Sequence, residues 1–164
     1  MITVDISKVL EELKKYHEEV ERKLKYMVGQ FSYLISSEAI KNTPLGNAAP
    51  ADQGGNLPWY LRREELTGLQ PRAGFAQGSW QVNTSGTFNI QETYSGEGAL
   101  SLIRGSISSY KLGETVYIGN SAYYFQQLEK NYSPQTEGMG IVKPTMSAIM
   151  ATYQVDLKRL FDEG

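Results

Sequence analysis

The side chains able to do covalent chemistry are few, and their spacing does not converge. His17 is the only histidine, set between Tyr16 and Glu18 in a charged run. One imidazole makes neither a metal site nor a nucleophile–base pair, since each needs further groups held at fixed distance. Adjacent carboxylates occur at Glu11–Glu12, Glu18–Glu19 and Glu64–Glu65. Neighbours on a helix point about 100° apart, so they do not flank one bond as the paired carboxylates of a glycosidase do. Gly96-Glu97-Gly98 and Gly138-Met139-Gly140 lack both the dinucleotide fingerprint and the Gly-Lys-Ser/Thr of a phosphate loop. The serines after Gly78 and Gly105 lack the surroundings of a nucleophile elbow. The chain has no cysteine, which removes disulfides, thiolate metal sites and cysteine nucleophiles. The expectation is a protein that is not an enzyme and carries no metal and no cofactor.

The residue types that anchor interfaces are better represented. There are 11 tyrosines, each a rigid apolar plate with a polar tip. Trp59, Tyr60, Arg62 and Arg63 fall together in one island and form the candidate interface, since Trp, Tyr and Arg dominate binding hot spots. Net charge is −2, from 16 basic and 18 acidic residues. That balance is no footprint of a protein that coats nucleic acid. No apolar run approaches the ~18 residues of a membrane helix, and the start lacks the pattern of a secretory signal, so the sequence predicts a soluble chain with no membrane partner.

The elements that must position these residues read as one α+β domain over 1–164. Residues 5–41 read as a long helix. Ile6, Val9, Leu10, Leu13, Tyr16, Val20, Leu24, Met27, Phe31, Leu34 and Ile35 make a continuous apolar stripe at steps of three and four. Asp5 or Ser7 is placed to cap its start. Glu11–Lys15, Glu18–Arg22 and Glu19–Lys23 are spaced for i,i+4 pairing. Gly29 marks a weak point or bend, and Asn42-Thr43-Pro44 ends the helix. Such a helix is longer than a domain of this size needs, so one end projects and wants a partner. Residues 42–79 hold four of the 6 prolines and six of the 16 glycines and read as a long inserted loop. Alternation at 79–83 and 87–90 predicts a hairpin turned at Thr84-Ser85-Gly86. A helix over 97–110, a strand over 115–119, a short helix over 122–129 and a closing helix from about 143 to 161 follow. The stripe of the last is Met146, Ile149, Met150, Tyr153, Leu157, Leu160 and Phe161.

Several of these pieces stand in a familiar order. The long helix ends in Asn42-Thr43-Pro44. Gly78-Ser79-Trp80-Gln81-Val82 follows. Then come Val116-Tyr117-Ile118-Gly119-Asn120-Ser121-Ala122-Tyr123-Tyr124, running into Leu128-Glu129, and Pro134-Gln135 with Gly138-Met139 before a closing helix. Over residues 30–163 the chain resembles the phage tail-completion (neck) and minor tail proteins. Thr43, Pro44, Gly78, Trp80, Asn120, Tyr123, Tyr124, Leu128 and Glu129 carry the likeness. Thr43 and Trp80 lie about 35 residues apart, a longer span than the family pattern, and the Trp59–Arg63 island sits in the excess.

A small, mostly antiparallel sheet is expected to pack against the long N-terminal and the C-terminal helices. The resemblance implies a structural virion protein, assembled in the host cytoplasm and located in the neck. That protein would form a homo-oligomeric ring of six or twelve copies joining the head, through its portal or connector, to the tail tube, with DNA passing through the lumen unread. A tail terminator that caps the tube is the alternative within assembly; a DNA-binding module or a small hydrolase stands outside it. On residue types alone, Asn120 is placed to cap the helix after it, Trp80 to lie as an apolar plate under the helices, and Tyr123, Tyr124 and Leu128 to pack while Glu129 points out.

Overall fold

The computed structural model describes residues 6–45, 74–91, 93–130 and 140–162. Trp59, Tyr60, Arg62 and Arg63 lie outside them, as does most of the span expected to be an inserted loop.

Helix α1, Ser7–Asn42, is a single uninterrupted element of 36 residues, roughly 54 Å long at 1.5 Å per residue. Its N-cap is Ile6, with no side-chain cap; Ser7 already lies inside the helix, so it is not the cap. The helix ends where Thr43 turns extended ahead of Pro44, as the steric limit on the residue before proline requires. Next comes α2, Phe75–Gly78, a helical turn at the end of the span expected to be all loop. Strand β1, Trp80–Asn83, leads to helix α3, Gly96–Ser108, and back to strand β2, Tyr117–Asn120. Helix α4, Phe125–Glu129, and the closing helix α5, Val142–Asp162, complete the order. Among the described residues the sheet is the antiparallel β1–β2 pair, with Trp80 opposite Asn120 and Val82 opposite Ile118. The class is α+β.

The expected hairpin between 79–83 and 87–90 does not form. Asn83 closes its own turn, accepting from the Ser85 and Gly86 amides at 3.1 and 2.8 Å and donating to the Thr87 carbonyl at 2.7 Å. The next segment is held by a side chain, because Gln81 Nε2 donates to the Asn89 carbonyl at 2.5 Å. Phe88 lays its ring so close to Gly119 that a Cβ there would stand 2.5 Å from it. The place opposite β1 goes to β2.

Two apolar clusters hold the body. One gathers Ala39, Ile40, Trp80, Val82, Ala99, Ile103 and Ile141, the other Phe75, Ala76 and Ala122 under Tyr94, Tyr123 and Tyr124. The face that α1 buries in them is not the long apolar stripe. It is Gly29, Ser32, Ser36, Ala39 and Ile40. Small residues bring α1 close to α3: a Cβ on Gly29 would lie 2.8 Å from Ile107 Cγ2, which is the physical reason for that glycine, in place of the bend expected of it. Ser32 and Ser36 donate to the carbonyls four residues back at 2.8 and 2.7 Å, so their hydroxyls are satisfied without water. Ile141, just before α5, and Thr145 and Ile149 along it turn inward, whereas Met146 and Met150 of the expected stripe are exposed.

Candidate functional site

The residues that carried the family likeness meet at the root of α1. Thr43 is the hub. Its hydroxyl donates to the Ala39 carbonyl at 2.7 Å and accepts from Trp80 Nε1 at 2.8 Å. Its own carbonyl accepts from Gln77 Nε2 at 2.8 Å. Trp80 is 4% exposed and meets Phe125 edge to face at 5.1 Å, so it is the plate under the helices that its size suggested. Pro44 is half-buried beside this hub. Asn42 Nδ2 donates to Thr145 Oγ1 at 3.0 Å and ties α1 to α5. At Gly78 any Cβ would overlap the Thr93 backbone, so the glycine is required by close approach.

Asn120 works differently from its expected role. Its Oδ1 accepts from the Ala122 amide at 2.9 Å and its Nδ2 donates to the Ala76 carbonyl at 2.7 Å. It therefore closes an Asx turn and bridges to α2, while the N-cap of α4 is Tyr124. Tyr123 and Tyr124 pack edge to face at 5.1 Å, each near 6 Å from Phe75, and Leu128 packs against both clusters. Burial is the main reason the Tyr124 phenol is pushed up to about 12; the neighbouring Tyr123 adds to it, and a backbone hydrogen bond at Ala76 opposes it.

Glu129 does not point out. Its carboxylate accepts from the Ile141 amide at 2.9 Å and the Val142 amide at 3.1 Å. It thus caps the start of α5 from a distant part of the chain, where orphan amides and the helix dipole favour a negative charge. Sequence spacing held no signal for this, because the two partners are twelve residues apart across an intervening segment.

These residues all build the body and leave no reactive group presented. Among the described residues no group of three or more His, Asp or Glu side chains comes together to hold a metal, and no helix is long and apolar enough to cross a membrane. The feature that is presented is the arm. From Ile6 to Met27 every α1 residue is exposed except half-buried Val20, and burial against the body begins at Val28 and Gly29. Along the arm Ile6, Leu10, Leu13 and Tyr16 are 56 to 69% exposed. The apolar stripe continues past the arm through Met27, Phe31 and Leu34, still exposed, about half a turn away from Ser32 and Ser36 at 100° per residue.

The arm carries two ion pairs, Glu11–Lys15 at 3.0 Å and Glu19–Lys23 at 2.8 Å, and His17 Nε2 lies 3.3 Å from a Glu21 carboxylate oxygen. Glu11–Lys15 and Glu19–Lys23 form as spaced, whereas the expected Glu18–Arg22 pair is absent among the described residues. Lys23, by its hydrogen bond and its charge, holds the Glu19 carboxyl below its ordinary range. Such solvent-exposed pairs add little to the helix. Where the arm meets the body, α1 and α3 leave an open cleft of about 540 Å³ lined by Arg22, Lys25, Tyr26, Tyr33, Arg104 and Ile107. Arg104 donates to the Tyr33 hydroxyl at 2.7 Å and stacks on its ring at 4.9 Å.

No family model, curated protein or solved structure matches this chain. The functional reading therefore rests on the arm, the body that roots it, and the sequence motifs.

Proposed function

We propose that the chain is a structural subunit of a tailed phage, forming a ring in the neck that joins the head connector to the tail tube. One observation carries this reading: a long helix rooted by Thr43, Trp80 and Thr145 in a small core extends an exposed apolar stripe away from it. A contiguous exposed apolar surface of this kind marks a protein–protein contact. The motif order over residues 30–163 supports the neck in particular. Many copies in a ring would repeat each contact, so modest individual affinities would add to a firm joint. DNA would pass through the lumen without base contacts, in keeping with a net charge of −2. Negative-stain images of the purified protein, alone and mixed with connectors and tails, test this. Rings bound at the junction are expected. A particle that attaches only to tail tubes would make it a terminator, and one that attaches to neither would overturn the proposal.

A further inference from the structure

The stripe on the arm has a finer register than general amphipathicity requires. Ile6, Leu10, Leu13, Val20, Leu24 and Met27 follow alternating steps of three and four, with His17 in the one polar place of the series. That is the seam of a two-stranded coiled coil, with Leu10, His17 and Leu24 at position a and Ile6, Leu13, Val20 and Met27 at position d. Each apolar member is exposed except half-buried Val20, and the body lies against the far side of the helix.

The flanking charges decide what occupies the seam. Lys14 and Glu21 are the charged residues at the two e positions of the arm's middle. In a parallel pair they would face Val9 and Tyr16 of the other helix, and His17 would face its own copy. In an antiparallel pair centred between Leu13 and Leu24, Leu13 faces Leu24 of the second copy, Leu10 faces Met27, and His17 faces Val20. Lys14 then lies beside Glu21 of the second copy, and by symmetry Glu21 lies beside its Lys14. Sliding the pair by one heptad either way sets Lys14 against Lys14 or Glu21 against Glu21. Only this register therefore sets two symmetric Lys14–Glu21 pairs along one edge of a mostly apolar seam. Lys14 makes no ion pair in its own chain among the described residues, and Glu21 keeps one carboxylate oxygen beyond the one facing His17.

We propose that the occupant of the arm's seam is the arm of a second copy, packed antiparallel in this register through a two-fold, self-complementary contact. Residues 6–31 of the two copies overlap over about 39 Å, with the two bodies at opposite ends. This contact is separate from any head-to-tail contact that closes a ring and would link two such rings or two lone subunits.

The native chain has no cysteine, so single-cysteine variants read the register directly. Leu13→Cys protein is mixed with isotopically labelled Leu24→Cys protein, oxidised and weighed by mass spectrometry. The 13–24 mixed disulfide is expected to exceed both homodisulfides by about tenfold. Predominant 13–13 and 24–24 linkage would overturn the proposal, as would linkage no greater than that of Ser101→Cys, placed on the exposed side of α3. Sedimentation of full-length charge variants gives a second readout: K14E or E21K weakens association about tenfold, and the K14E/E21K double variant returns to within about twofold of the native chain. A double variant as weak as the single ones would also overturn it. Rings that show only homodisulfides would refute the antiparallel pair and leave the neck reading intact; a mixed disulfide between subunits that never form rings does the reverse.

Discussion

At the scale of single residues, the hydroxyl of Thr43 concentrates more of the body's connectivity than its size suggests. Replacing it with valine keeps the shape but leaves buried Trp80 Nε1 without its acceptor. An unsatisfied buried donor costs about 1–3 kcal/mol, so urea unfolding of T43V is expected to show a loss of that order with an unchanged m-value. Glu129 is a second such point. E129A strips the cap from α5, and a loss of about 1 kcal/mol is expected; E129Q, which keeps an acceptor oxygen, recovers part of it. Tyr124 sets an alkaline limit. Its folded-state value of about 12 lies above the ordinary tyrosine value of 10.0, so the unfolded chain releases the proton first. The native preference is complete below pH 10 and is lost as pH rises from 10 through 12, by at most roughly 3 kcal/mol at 1.36 kcal/mol per unit. A pH series of urea midpoints should fall less steeply in that window for Y124F.

At the scale of elements, α1 is two helices in function though one in backbone. Its second half buries small residues and its first half buries nothing of its own. Removing residues 1–24 is therefore expected to shift the melting temperature of the body by only a few degrees while abolishing self-association, measured by calorimetry and sedimentation together. Gly29→Ala is expected to reverse that pattern. Alanine favours the helix by up to about 1 kcal/mol, but its methyl meets Ile107 at 2.8 Å, and overpacking of about 1–3 kcal/mol outweighs the gain. The elements were legible where a local signal was strong. Periodicity and Pro44 placed α1, alternation placed β1, and the strand expected over 115–119 overlaps β2. The face α1 buries was not legible, because hydropathy ranks Gly29, Ser32 and Ser36 below Phe31 and Leu34, while close approach to α3 selects for smallness. The hairpin at 79–90 was misread because Asn83, Gln81 and Phe88 use their side chains to hold a segment that alternates like a strand. The Glu129 cap and the Asn120 bridge depend on contacts across distant parts of the chain, which spacing along the sequence does not encode.

At the scale of the whole molecule, a small body and a long arm make two thermodynamic parts. The arm carries a helix period, two i,i+4 ion pairs and no tertiary support. Helices of such length are marginal by themselves in water. Dilute enough to keep the copies apart, backbone amides between Lys8 and Tyr26 should trade their protons for deuterons in seconds, while those from Ser32 to Ile40 resist until the core opens. Raising the concentration should slow the first group and leave the second untouched. The boundary between fast and slow exchange, falling near Gly29, would mark the place along one unbroken helix where shelter passes from a neighbouring molecule to the chain itself.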